Sequence, residues 1–184
     1  MKIALKNTIV MVGMMGAGKT AIGRSLAQKL GVPFLDCDEE IVTAANMEIP
    51  EIFSKFGETF FRDKESRVLG RLLERAPCIV STGGGAFIQP QNRELIAHSA
   101  TSVWLKADID LLWSRVQGRS SRPLLNAPDP RQTLETLYAE RESYYALADV
   151  TVQSTAEDSI ETMTQRVFDV LDHRGAISIN ALKG

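Results

Sequence analysis

The sequence predicts an α/β fold built on a parallel sheet. Three observations carry that expectation. Short apolar runs rich in β-branched residues alternate with segments of helical periodicity. The first run is continuous rather than alternating, as in strands buried on both faces. Polar or glycine-bearing clusters follow the runs, and open parallel sheets bind ligands at those strand ends.

In order along the chain, Thr8-Ile-Val-Met-Val12 is the first strand and a glycine-rich turn follows it. Residues 20–30 place Ile22, Leu26 and Leu30 at helical spacing, and Gly31 is a natural stop. Residues 32–35 read as a second strand running into Asp36 and Asp38. Residues 38–56 read as short helices around a break at Pro50, and 58–75 as a longer helix with Val68, Leu69, Leu72 and Leu73 inward. Strands at 78–81, 101–105 and 150–152 alternate with helices at 90–98, 108–117, 131–147 and 158–171. The polar stretch 118–130, punctuated by Gly and Pro, is a loop. From Arg174 onward the periodicity is weak, and a loose tail over 174–184 is expected beyond one domain over 1–173.

A chain of 184 residues suits one domain, and 44% hydrophobic residues can fill its core without disulfides or structural metal. Twenty-one basic and 23 acidic residues leave a net charge of −2, which gives no general attraction to nucleic acid or to an anionic membrane. An anionic ligand must then be met by a few locally placed arginines. Cys37 and Cys78 have no second Cys at metal spacing and read as small apolar thiols in a reducing compartment. The apolar run 8–12 is far short of the ~20 residues of a membrane span, and no signal-peptide pattern precedes it. A soluble cytoplasmic protein is expected, and a monomer.

Gly13-Met-Met-Gly-Ala-Gly-Lys-Thr20 fits G-x-x-x-x-G-K-[ST] at every fixed position, between a buried-type strand and an amphipathic helix. Glycines let the backbone turn tightly and bring its N–H groups against phosphate oxygens. The helix start adds the positive end of its dipole. Gly16, Ala17, Gly18, Lys19, Thr20 and Ala21 are therefore expected to bind a nucleotide, with Lys19 on the outer phosphates and the Thr20 hydroxyl on Mg²⁺.

Other clusters narrow the chemistry. Asp36-Cys37-Asp38 offers two carboxylates at a strand end. Asp36 is placed to hold hydrated Mg²⁺ beside Thr20, and Asp38 to orient or deprotonate a substrate hydroxyl. The alternative for Asp38 is a helix N-cap. In Phe60-Phe61-Arg62-Asp63-Lys64-Glu65, Arg62 could be aimed at an anion by Glu65 three residues on, or could simply form a surface ion pair. Thr82-Gly83-Gly84-Gly85 fits close approach of backbone to a ligand, or a plain turn. Arg115, Arg119 and Arg122-Pro-Leu-Leu125 suit a lid that brings positive charge to a phosphoryl group, or a solvated basic loop. Arg141 and Tyr145 follow on a helix, where an exposed charge is the ordinary reading.

Taken in order, GxxxxGKT, DxD, FRxxE, TGGG, RPLL and RxxxY resemble the shikimate kinase family over most of the chain. The resemblance implies a P-loop kinase-like, three-layer α/β/α fold with a five-stranded parallel sheet and a mobile lid at about 113–130. It implies transfer of the ATP γ-phosphoryl group to the 3-hydroxyl of shikimate, giving ADP and shikimate 3-phosphate on the route to chorismate. Carried over residue by residue, Asp38 grips the ring hydroxyls and acts as base. Arg62 and Arg141 pair with the carboxylate, and Gly84 offers its backbone. Arg122 and Lys19 serve the transferred group, Arg115 stacks on adenine, and Thr20 with Asp36 through water holds Mg²⁺. The sequence departs from the pattern at residues 153–158, which lack an arginine that some members place near adenine. Competing readings are a kinase of another sugar acid such as gluconate, and a catalytically inactive ATP-binding regulatory module.

Overall fold

A computed structural model describes residues 2–118 and 127–180. Its centre is a five-stranded parallel sheet: β2 (Thr8–Val12), β3 (Phe34–Asp36), β4 (Ile79–Ser81), β5 (Ala100–Ala107) and β6 (Val150–Ser154), in spatial order β3-β4-β2-β5-β6. All five residues of β2 are buried, as a central strand covered by helices on both faces requires. Helices α1 (Lys19–Leu30) and α7 (Ile160–His173) pack on one another and on the sheet. Helices α3 (Ile49–Leu73) and α4 (Pro90–Ser99) form a second pair, with α4 on β5. Helix α2 (Cys37–Ala45) packs against α3, and α5 (Ile109–Val116) against α6 (Pro130–Tyr145). This is the expected three-layer arrangement.

Local chemistry sets most element ends. Gly31 closes α1 in the left-handed region, φ 66°, and its N–H reaches the carbonyls of Ala27 and Gln28. Pro50 differs from its expected part. It does not break a helix but sits in the first turn of α3, where its missing N–H costs nothing. The break falls at Gly57, φ 82° and ψ 175°, inside α3.

Residues 174–180 are not a loose tail. Strand β7 (Ile177–Asn180) pairs antiparallel with β1 (Lys2–Leu5), making a separate two-stranded sheet. Ala176, Ile177 and Leu5 are buried there. Neither four-residue segment carries a readable period alone, and the pairing joins opposite ends of the chain. Cys37 and Cys78 are buried free thiols. Among the described residues no helix is long and apolar enough to cross a membrane.

Candidate active site

The phosphate loop leaves the middle strand of the sheet and enters α1. Gly13, Gly16 and Gly18 all have positive φ, at 138°, 81° and 94°. Gly16 also has no room for a side chain, since a Cβ would stand 2.8 Å from Val116 Cγ1. No side chain caps α1, so the N–H groups of its first turn keep their capacity for an anion. Lys19 is buried and donates to the carbonyls of Gly13 and Met14, both at 2.8 Å. The ammonium is thereby folded back over the loop.

Gly16, Gly18, Lys19, Thr20 and Ala21 line one cavity of about 850 Å³. Ala17 is buried behind it and supports the turn through its N–H to Met14 O, 3.1 Å. The wall continues through Asp36, Asp38, Ser81, Thr82, Gly83 and Gly84 at one end, and through Arg115 and Asp158 at the other.

Thr20 Oγ1 donates to Asp36 Oδ2 at 3.1 Å and lies 3.5 Å from Ser81 Oγ. These are hard oxygen donors with a single carboxylate, a set that suits Mg²⁺ shared with phosphates rather than an all-protein cage. Among the described residues no group of three or more His, Cys, Asp or Glu could hold a metal. The other oxygen of Asp36 accepts from the N–H groups of Asp38 (2.9 Å) and Glu39 (3.4 Å). Asp36, not Asp38, is therefore the N-cap of α2. The cap alternative for Asp38 falls away, and Asp38 sits in the first turn with its side chain on the cavity wall.

Arg62 and Arg141 abut the glycine turn at the Asp38 end. A Cβ on Gly85 would lie 2.3 Å from Arg62 Nη2, and one on Gly84 3.2 Å from Arg141 Nη1. Arg62 donates to Glu65 Oε2 at 2.8 Å, pairing with the carboxylate three residues on, and reaches Glu58 at 3.4 Å. Glu65 is fully buried. Burial pushes its carboxyl above the usual range, against the opposing pull of Arg62. Asp38 Oδ1 and Glu65 Oε1 both stand 3.1 Å from where a Gly83 Cβ would be. Carboxylate and guanidinium groups thus stand close against the turn, with little space for a side chain at Gly85 in particular.

Tyr145 closes the RxxxY motif that begins at Arg141, but the sequence assigned it no role. It is fully buried, and its hydroxyl donates to Gly84 O at 2.5 Å. Burial holds that hydroxyl protonated, pushed up to about 12 against the pull of Arg141. Asn92 and Arg93 of α4 were not anticipated at all. Asn92 Nδ2 donates to Ala86 O (2.9 Å), and Arg93 Nη1 to Phe87 O (2.8 Å) and Ile88 O (2.7 Å). They pin the single 3-10 turn (Ala86–Ile88) that follows the glycines. No local sequence signal marks them, because their partners are backbone carbonyls.

At the far end, Arg115 Nη1 donates to Gly16 O (3.1 Å) and Nη2 to Ser154 Oγ (3.3 Å). Desolvation lowers the guanidinium's basicity. Ser159, Ile160 and Met163 of the α7 start complete this end. Arg122 lies outside the described residues, as do 119–126 of the expected lid. Its first residues, 113–116, are the last turn of α5, and Pro130 opens α6.

Comparison with known proteins places these features in context. The profile of the family described as Shikimate kinase matches residues 15–172. A shikimate kinase of Ruegeria pomeroyi is 60% identical over 171 residues, covering 93% of this chain and 88% of its own. One of Cereibacter sphaeroides is 56% identical, with 92% and 85% covered. A solved shikimate kinase of Acinetobacter baumannii, in complex with shikimate, superposes with a TM-score of 0.87 at 37% identity, covering 91% of this chain and 94% of that one.

Proposed function

The chain belongs to the shikimate kinase family, and from that premise we propose how its own residues carry phosphoryl transfer from ATP to the 3-hydroxyl of shikimate. One observation carries the assignment of roles. The phosphate loop, with Lys19 and Thr20, shares a single cavity with Asp38 and Gly84. A donor site and an acceptor site thus face one another across the ends of β2, β3 and β4.

The β- and γ-phosphates of ATP lie on the N–H groups of Gly16, Ala17, Gly18, Thr20 and Ala21, with Lys19 turned onto them. Moving Lys19 from two carbonyls to phosphate replaces neutral acceptors with charged ones, a stronger bond. Arg122, assigned from its Arg-Pro-Leu-Leu motif, adds positive charge to the transferred group, and Arg115 flanks the adenine. Thr20 directly, and Asp36 through water, would hold Mg²⁺. When bound, the ion would neutralise charge on the phosphates.

Shikimate enters at the Asp38 end. Arg62 and Arg141 receive its carboxylate, Gly84 offers backbone, and Asp38 accepts from the ring hydroxyls. Asp36 serves as the cap of α2, and Asp38, one residue into the helix on the cavity wall, takes the substrate role. It takes the hydroxyl proton as the oxygen–phosphorus bond forms and the bond to ADP breaks. The unit acts as a monomer in the cytoplasm, as one kinase domain.

The test is ADP release by the purified protein with Mg-ATP, with and without shikimate. Shikimate-dependent release is expected. Release that is equal on gluconate, or absent with every acid despite tight ATP binding, would overturn the assignment in favour of another sugar-acid kinase or an inactive ATP-binding module.

A further inference from the structure

Residues 153–158 carry no arginine, yet a guanidinium reaches them. Arg166, two turns into α7, donates to Gln153 O at 2.6 Å and grips Asp158 with both nitrogens, Nη1 to Oδ2 at 2.9 Å and Nη2 to Oδ1 at 2.8 Å. The same Nη1 lies 3.3 Å from Met163 Sδ. Asp158 Oδ2 also accepts from Thr155 N (2.8 Å) and Thr155 Oγ1 (3.0 Å), closing the 155–158 turn on itself. Asp158 keeps only 7% side-chain exposure, whereas Arg166 keeps 40%. Asp158 and Met163 line the cavity, and Arg166 stands behind them.

This contact closes a chain of bonds. Gly16 O of the phosphate loop accepts from Arg115, and Arg115 donates to Ser154 Oγ. Ser154 adjoins Gln153, whose carbonyl Arg166 holds. The wall at the Arg115 end is thus fixed to the phosphate loop at one edge and to α7 at the other. The phosphates occupy the loop and the acceptor lies at Asp38, so the base of a nucleotide must point toward this wall.

We propose that Arg166 is a positioning residue for the nucleotide, holding the wall formed by Asp158 and Met163 in register with the phosphate loop so that the base of ATP is received without reordering the 153–158 segment. The proposal rests on the reading of this cavity as the ATP site. Arg166 touches neither phosphate nor acceptor. It acts by a directional, charge-assisted pair that a preformed site needs and a flexible loop lacks.

Steady-state kinetics with shikimate and Mg-ATP test it in Arg166→Ala, Arg166→Lys and Asp158→Asn. Arg166→Ala is expected to raise the ATP KM about tenfold, the scale of one lost charge-assisted contact. The shikimate KM should stay within about twofold, and kcat should fall far less than the ATP affinity. Arg166→Lys, which restores charge without the two-pronged grip, should recover part of the loss. Asp158→Asn is close to isosteric and should reproduce the Arg166→Ala effect even if the alanine variant folds poorly. Adding Asp158→Asn to Arg166→Ala should cost nothing further, as expected for one coupled pair. An unchanged ATP KM in both single variants, or an equal rise in both substrates' KM, would overturn the positioning role. Lys19→Ala separates the two levels. If it leaves ATP binding intact, the site reading fails; if it abolishes binding while Arg166→Ala and Asp158→Asn do nothing, only the Arg166 proposal fails.

Discussion

Gly85→Ala adds one methyl group and tests the carboxylate contact proposed for Arg62 without altering the arginine's charge. Gly85 lies at φ −91° and ψ −10°, an ordinary right-handed conformation, so alanine brings no backbone strain. The cost is steric. The new Cβ would stand 2.3 Å from Arg62 Nη2 and 2.6 Å from both Cζ and Nη1, while ordinary contact begins at 3.4 Å. The guanidinium must therefore retreat by about 1 Å, more than a directional bond tolerates. It cannot swing away at no cost, because Glu65 holds it at 2.8 Å and its side chain is only 17% exposed. A charge-assisted bond to a carboxylate is worth about 1.5–3 kcal/mol. Losing it predicts a rise in shikimate KM of about 10- to 150-fold. The assay is a coupled ADP measurement with shikimate varied at saturating Mg-ATP, then ATP varied at saturating shikimate. The ATP KM is the internal control, since Gly85 is not among the residues that line the cavity with the phosphate loop. A shikimate KM within about twofold of the parent would refute the reasoning. Either Arg62 would not hold the carboxylate, or the guanidinium could move freely after all.

Three further predictions follow from the same geometry. Asp38→Asn should lower kcat by at least about 100-fold, the scale of a general base, with ATP affinity preserved in a direct titration; loss of ATP binding would contradict the assigned role. Tyr145→Phe keeps the buried ring but removes the donor to Gly84 O. It should cost about 1–3 kcal/mol in urea unfolding and raise the shikimate KM, and an unchanged unfolding midpoint would show that bond to be dispensable. Glu65 gives a pH test. Burial raises its folded value above the ordinary 4.5, and Arg62 does not cancel the shift. An acid raised on folding contributes stability that is full below its unfolded value and is lost as pH rises through the folded one. The melting temperature should carry that decline above pH 4.5, and Glu65→Gln should flatten it; an identical slope in the variant would exclude Glu65 as its source.

Much of the candidate site was legible in the chain because its chemistry is local. The phosphate loop is one unbroken octapeptide whose glycines, lysine and threonine act through adjacent backbone. Arg62 and Glu65 are one helical turn apart, so their spacing alone announced the pair. The alternation of buried strand and amphipathic helix likewise announced the parallel sheet. Asp36 and Asp38 were given separate roles from the sequence, metal and hydroxyl, but which of the two caps the helix was not legible there. A cap is decided by which carboxylate the last strand residue turns toward the helix, and that belongs to Asp36.

What the sequence by itself determined was the sheet, the phosphate loop and the residue types gathered around the glycine turn at 83–85. Only the tertiary structure decided what stands behind them. Tyr145 meets Gly84 across 61 positions, and Arg115 meets Gly16 across 99. Strand β7 finds β1 at the other end of the chain, and Arg166 reaches a turn that precedes its own helix. These contacts join side chains to carbonyls or strands to strands, and a carbonyl is the same in every residue. No motif records such a partner, so long-range closure of the chain alone turns the loop that opens at Gly13 into one wall of a shared cavity.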